Sequence, residues 1–125
     1  MRVGCKYGSH RVIEPKGALP QPAWRIDNTM EIYDNEILIA VERLNIDAAS
    51  FSQMEKEVGG DPAKIGEMVV KTVKERGKQH NPVTGSGGML IGAVEAVGSL
   101  LKDKIDLKPG DKIATLVSLS LTPLR

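Results

Sequence analysis

The feature that most narrows the possible folds is an apolar run broken by glycines, Gly87-Gly88-Met89-Leu90-Ile91-Gly92-Ala93-Val94-Glu95-Ala96-Val97-Gly98. It is followed by Lys108-Pro109-Gly110-Asp111-Lys112-Ile113-Ala114, a Pro-Gly turn that launches a second apolar run. A strand, a connection and a tight turn into another strand is the pattern of a compact β-barrel. Gly92, inside the first strand, predicts that another backbone or a ligand approaches closely there.

The chain has 125 residues, enough for one domain with its own core. Hydrophobic residues make up 41% and charged residues 26%, which is a globular balance. A net charge of +1 gives no electrostatic case for nucleic acid or an acidic membrane surface. Aromatic residues are only 3%, which leaves little for stacking on bases. The single cysteine, Cys5, can form no internal disulfide and fits a reducing cytoplasm. The start, Met1 to Lys6, lacks the apolar centre of a signal peptide, and no apolar run approaches transmembrane length. The expectation is a cytoplasmic protein without nucleic-acid or membrane partners. The apolar ending, Leu116 to Arg125, reads as a strand without a polar tail and raises the expectation of a piece of a longer chain.

Residues 1–30 are rich in turn formers, with short extended pieces near Arg11–Glu14 and Ala23–Asp27. They also carry a dense polar group, Lys6, Tyr7, His10, Arg11 and Glu14. This segment reads either as a solvated N-terminal arm or as a loop lining a pocket. A strand region follows over Ile32–Ile46, with a turn at Asp34-Asn35. Its apolar phase changes near Glu42-Arg43, which predicts a bulge, and its apolar residues on both faces predict a central strand. A short helix is expected over Ser50–Val58, with Ser50 and Gln53 as a capping box. A longer one is expected over Asp61–Arg76, with Asp61 as N-cap, Pro62 in the first turn and Gly77 as the stop. Ile65, Met68, Val69 and Val73 form its apolar stripe, read as core packing. Lys78–Ser86 reads as a loop, with His80, Asn81, Pro82 and Thr84. In the final segment Val117, Leu119 and Leu121 alternate with Ser118, Ser120 and Thr122, the pattern of a half-exposed strand. The fold class expected is therefore mainly β with inserted helices (α+β).

No catalytic motif is met. Gly85-Ser86-Gly87-Gly88 is glycine-rich but enters a strand, with no lysine-serine pair, so it is no phosphate cradle. Cys5, His10 and His80 lack metal-ligand spacing. A Ser/His/Asp set drawn from Ser50 or Ser86, His10 or His80, and Asp47 carries little weight, because a chain of this size permits such a choice by chance.

The glycine-rich run followed by Leu107-Lys108-Pro109-Gly110-Asp111-Lys112-Ile113-Ala114 resembles the N-terminal domain of the medium-chain dehydrogenases/reductases. Asn35 to Val41 followed by Asn45-Ile46-Asp47-Ala48-Ala49-Ser50 resembles that family's strand into its active-site turn. The resemblance implies a GroES-like β-barrel, a substrate-side domain spanning residues 1–125. Residues 1–30 are then its arm and 50–78 a helical insertion that lids the pocket. At the N-terminus, Gly4-Cys5-Lys6-Tyr7-Gly8-Ser9-His10-Arg11-Val12-Ile13-Glu14-Pro15-Lys16-Gly17 is similar to a narrower branch, the L-erythro-3,5-diaminohexanoate dehydrogenases. So are Pro20-Gln21-Pro22-Ala23-Trp24 and the stretch from Asn28 to Glu36. That branch implies oxidative deamination of a diamino acid in lysine fermentation, with NAD as hydride acceptor, and a homo-oligomer as the assembly. Aligned on Gly92 to Gly98, Gly88 stands where zinc-dependent members carry a ligand histidine, Met89 at the next glutamate, and Asp47 at the first ligand cysteine. The resemblance therefore implies no catalytic zinc.

The chain contains no Gly-x-Gly-x-x-Gly on a strand–helix turn, so the NAD-binding Rossmann domain is expected beyond Arg125 and this piece alone is expected to be inactive. A primary ammonium must lose a proton before hydride can leave its carbon, so a base is required. The resemblance and the ionisable groups nearest the matched turn assign His10 or Asp47 as base. Arg11 or Lys6 would receive the substrate carboxylate, and Glu14 or Asp47 an ammonium, with Ser50 beside them. Two other readings share part of the pattern: a stand-alone GroES-like binding or assembly module, and a zinc-free quinone-reductase type of oxidoreductase domain. A reading frame that continues past Arg125 into a dinucleotide fold separates the enzyme from the module.

Overall fold

The computed structural model describes residues 1–82 and 87–125. The glycine-broken run is strand β4, Met89–Val97. Its burial alternates: Leu90, Gly92, Val94 and Val97 are buried, while Ile91 and Glu95 face solvent. That period of two is what a strand with one covered face requires. β4 is the centre of a three-stranded antiparallel sheet in the order β3-β4-β5, with β3 at Ile37–Asn45 and β5 at Lys112–Thr115. The expected close approach at Gly92 is present. A Cβ there would stand 2.4 Å from Ala40 O on β3.

β3 is an edge strand of this sheet, not a central one. Its middle is exposed, with Val41 at 44%. The run of apolar residues misled because the strand is irregular: the register slips between Leu38 and Ile39 and again between Val41 and Arg43. The second slip is the bulge expected near Glu42-Arg43. A separate ribbon pairs β1, Val12–Glu14, with β2, Arg25–Ile26. The described residues thus form an α+β fold with two sheets and two helices, and the closed barrel expected from the sequence is not found among them.

The helices sit between β3 and β4 in the chain. α1 spans Ala48–Val58 and α2 spans Pro62–Arg76, and they pack on each other. α2 starts and stops where its signals predict. The Asp61 carboxylate accepts from Ala63 N, Pro62 occupies the first turn, and Gly77 takes the left-handed conformation at φ 72°. α1 starts earlier than expected, and its cap is Asp47, whose Oδ1 accepts from Ser50 N at 2.7 Å. Ser50 lies inside the helix and is buried. The carboxylate at Asp47 sits three residues before a free amide, the ideal separation for a cap, so it displaces the serine.

The last segment is not a strand. β5 ends at Thr115, and residues 116–125 form turns. Leu121 N donates to Ser118 O and Thr122 Oγ1 donates to Ser118 O. The turns drop Leu119 and Leu124 into the core beside Leu90, with Ile39, Leu44, Ile46 and Val73 packed around them. Burying both leucines outweighs continuing an exposed ladder beside β4.

The N-terminal arm is anchored at a few buried residues, while most of its residues are exposed, as a solvated arm would be. Ala23 and Ile26 are fully buried, as is the Arg11 side chain. A segment holding Pro20 and Pro22 is poor in N–H donors but leaves carbonyls that need partners. Three buried cations provide them. Arg11 donates to the carbonyls of Thr29 and Glu31, Arg76 to those of Trp24 and Ala23, and Lys78 to those of Pro20 and Gln21.

Candidate functional site

The residues singled out from the sequence fall into two groups. His10 and Arg11 meet at Glu36, just before β3. Glu36 Oε1 lies 2.7 Å from His10 Nε2 and 2.8 Å from Arg11 Nε, and Oε2 lies 2.6 Å from Arg11 Nη2. The Tyr33 amide also donates to Oε2 at 2.9 Å. Burial pushes the Glu36 carboxyl up, but the bonds from Arg11, Tyr33 N–H and His10 overcome it and hold its pKa at about 2. His10 Nδ1 accepts from Cys5 N at 2.9 Å, so both ring nitrogens are occupied by protein. Arg11 Nη1 turns to Thr29 O and Oγ1, and Nη2 also to Glu31 O, so the guanidinium is spent on the arm and on Glu36. Glu14, on β1, and Lys6 are exposed, and Lys6 Nζ lies 4.8 Å from the Tyr7 ring centre.

Asp47 and Ser50 form the second group, at the start of α1. Ser50 Oγ accepts from Asn81 Nδ2 at 3.2 Å, so the helix start is tied to the loop after α2. That loop holds the residues that the sequence pattern did not single out as a set. Lys78, Gln79 and Asn81 are all buried, at 0%, 2% and 1% exposure. Burial, with Arg76 in support, pushes Lys78 down to about 8. Burial, reinforced by Arg76 and Lys78, pushes His80 down to about 4, so the ring is neutral at pH 7. His80 Nδ1 and Gln79 Oε1 are buried without a hydrogen-bond partner. No periodicity marks a loop, so its burial is invisible until α1, α2 and the arm are assembled around it.

Two concave spaces adjoin this loop. A small cavity of about 90 Å³ lies between α1, α2 and the loop, lined by Ser50, Met54, Glu57, Met68, Gln79 and His80 among others. A wider cleft of about 620 Å³ is lined by Tyr7, Leu19, Pro20, Gln21, Pro22, His80 and Leu121. His80 borders both. The arm therefore does line a pocket, through Tyr7 and Leu19 to Pro22, as one of the two sequence readings held. Ser86 and Thr84, named from the sequence, lie outside the described residues.

Among the described residues no three or more His, Cys, Asp or Glu side chains come together to hold a metal ion. Gly88 has φ 91°, and a Cβ there would stand 1.9 Å from Asn45 O. A ligand side chain cannot occupy that position on this backbone. Gly87 is as tightly enclosed, with Gln79 O and Ser120 N at 2.5 and 2.6 Å from a Cβ position. The space beside these glycines is filled by chain, so they do not fit a dinucleotide pyrophosphate. No helix is long and apolar enough to cross a membrane among the described residues.

A family model described as the L-erythro-3,5-diaminohexanoate dehydrogenase N-terminal domain matches residues 10–125. The chain belongs to that family. A relative from Acetoanaerobium sticklandii named L-erythro-3,5-diaminohexanoate dehydrogenase is 66% identical over 122 residues, 98% of this chain and 36% of the relative. A Fusobacterium nucleatum relative of the same name is 66% identical over 125 residues, all of this chain and 36% of the relative. The chain thus spans about a third of the length of the curated relatives it matches. Membership covers both groups of candidate residues, apart from Lys6, which lies before the matched range.

Proposed function

We propose that the chain is the substrate-side domain of an NAD-dependent amine dehydrogenase that oxidatively deaminates L-erythro-3,5-diaminohexanoate to 5-amino-3-oxohexanoate in lysine fermentation. The observation that carries this is the family match over residues 10–125. The antiparallel β3-β4-β5 sheet, its bulge and its Pro109-Gly110 turn support an open GroES-like fold of the medium-chain dehydrogenase/reductase type. NAD, when bound, supplies the hydride acceptor. The reading assigns it mainly to a nucleotide-binding domain of the longer protein, of which this chain spans about a third. The full protein is read as a cytoplasmic homo-oligomer.

The work left to this chain is to hold two ammonium groups and a carboxylate, and to take a proton from the ammonium at C3. Between the two candidate bases the geometry favours Asp47. His10 has both ring nitrogens on protein partners, whereas Asp47, which caps α1 through Oδ1, precedes by three residues the Ser50 that lines the polar cavity. Between the two candidate cations it favours Lys6, exposed next to the cleft residue Tyr7, over Arg11, whose donors are committed. Glu14 remains an exposed acid for an ammonium. No zinc is assigned, since Gly88 and Asp47 stand where zinc-dependent relatives place ligands.

The test is NAD reduction by the full-length protein given 3,5-diaminohexanoate, with and without a chelator. The expected result is turnover that a chelator leaves unchanged. Failure to reduce NAD with this substrate refutes the proposed reaction, and chelator-sensitive turnover refutes the zinc-free assignment.

A further inference from the structure

Of the three buried cations, only Arg11 has acids beside it, Glu36 and Asp27. Arg76, 7% exposed, and Lys78, 0% exposed, form no ion pair with a carboxylate among the described residues. They donate instead to the carbonyls of Trp24, Ala23, Pro20 and Gln21, which are dipoles and leave the net charge standing. Pro20 and Gln21 also line the wide cleft of about 620 Å³, so the segment that Lys78 holds is part of the cleft wall. His80 stands on the same wall, and both charges act on its ring. Charges set in a low-dielectric surrounding are weakly screened, so the cleft carries a positive field. The polar side chains on the wall, Tyr7, Gln21 and His80, each have a donor, and no Asp or Glu is among the lining residues. The His80 ring is neutral at pH 7, and its Nδ1 is buried without a partner. The proton of the neutral ring therefore belongs on Nε2, the nitrogen left to donate. Leu19, Pro20 and Leu121 make the rest of the wall apolar.

We propose that the wide cleft is a subsite for the carboxylate of a short aliphatic acid, with His80 Nε2, Gln21 and the Tyr7 hydroxyl donating to it, the buried Arg76 and Lys78 supplying the field, and Leu19, Pro20 and Leu121 against the alkyl chain. The inference rests on the reading above and deepens it: the group held there is the C1 carboxylate of the substrate. Lys6, the neighbour of Tyr7 in the chain, adds an exposed cation. An ammonium does not suit the cleft, since it would meet donors and two like charges with no carboxylate on the wall to receive it.

The experiment titrates hexanoate, and separately hexylammonium, into the full-length protein and follows the His80 ring resonances. Hexanoate is expected to give saturable shifts and hexylammonium none. Gln21→Glu changes an exposed side chain, leaves the backbone carbonyl that Lys78 holds, and puts a carboxylate on the wall. It is expected to weaken hexanoate about fivefold. His80→Phe keeps a ring and removes the donor; followed by the Leu121 methyl resonances, it is expected to weaken hexanoate as well. Three results overturn the subsite: no saturable shift with hexanoate, hexylammonium binding as tightly as hexanoate, or hexanoate affinity unchanged in both variants. Turnover supplies a second readout, with 2,4-diaminopentane as the same diamine without its carboxylate. Gln21→Glu is expected to raise KM about fivefold for 3,5-diaminohexanoate, with kcat little changed, and not to raise it for 2,4-diaminopentane. An equal rise for both overturns the assignment to the C1 carboxylate. If 3,5-diaminohexanoate proves not to be the substrate, the reading of the reaction fails and the hexanoate titration alone decides the subsite.

Discussion

At the scale of single residues, two positions carry sharp consequences. Glu36 is the acid on which Arg11, His10 and the Tyr33 amide converge. Arg11 is 5% exposed, and without Glu36 only the Asp27 carboxylate, 3.9 Å from Nη1, is left to balance its buried charge. Glu36→Gln is expected to cost about 3–5 kcal/mol, read from urea unfolding. The pH dependence has a definite sign. The folded carboxyl titrates at about 2 and the unfolded one near 4.5, so between these values only the unfolded chain takes up the proton. Stability from this group is complete above pH 4.5 and falls by about 3 kcal/mol as the pH drops towards 2. Unfolding midpoints of the glutamine variant should lack this component of the acid slope. Gly88 is the second position. Gly88→Ala forces a positive φ on a residue with a Cβ and overlaps Asn45 O, so a loss of at least about 2 kcal/mol is expected in the same assay.

At the scale of elements, α1 and its cap decide how the function can be tested. Asp47 is the N-cap of α1 and the proposed base, so Asp47→Ala tests two roles at once. The alanine variant should lose about 1 kcal/mol of stability as well as turnover. Asp47→Ser retains an oxygen that can accept from the same amide but has no carboxylate. It is expected to melt within a few degrees of wild type while kcat falls strongly, measured on the full-length protein. Wild-type turnover in the serine variant would remove Asp47 from the mechanism. His10→Ala, by contrast, is expected to act through folding, since the ring bridges Cys5 N and Glu36. Its signature is a lowered melting temperature, with kcat per folded molecule preserved.

At the scale of the whole molecule, the arm, the helical insertion and the end of the chain are clasped together. Lys78 Nζ, 58 residues from its partner, holds Pro20 O at 2.6 Å and Gln21 O at 2.9 Å. Leu124 N bonds Gly77 O at 2.8 Å, and Asn28 Nδ2 donates to Leu124 O. Lys78→Met keeps the stem but leaves two carbonyls bare. Limited proteolysis is expected to cut the variant faster within residues 7–22, with a stability loss of about 2–4 kcal/mol. The lysine also imprints a pH dependence. Its folded pKa is about 8 against 10.5 unfolded, so between these values the unfolded chain binds more protons. Stability therefore rises from pH 8 towards 10.5, a rise that the methionine variant should lack.

What the sequence determined by itself was local. α2 follows from an aspartate, a proline and a glycine at fixed offsets, and β4 from an apolar run around a glycine that has no room for a side chain. The bulge in β3 showed as a change of apolar phase. Family membership was also legible, because ordered motifs survive without coordinates. Tertiary structure decided the rest. It made β3 an edge, folded the last ten residues into turns over Leu90, and chose Asp47 over Ser50 as the cap. It also committed His10 and Arg11 to Glu36 and placed the buried Gln79 and the half-buried His80 at a cavity. Caps, turns and alternation act over a few residues and leave a trace in composition and spacing. A buried acceptor or a staple 58 residues long depends on which distant surfaces meet, and no local pattern records that.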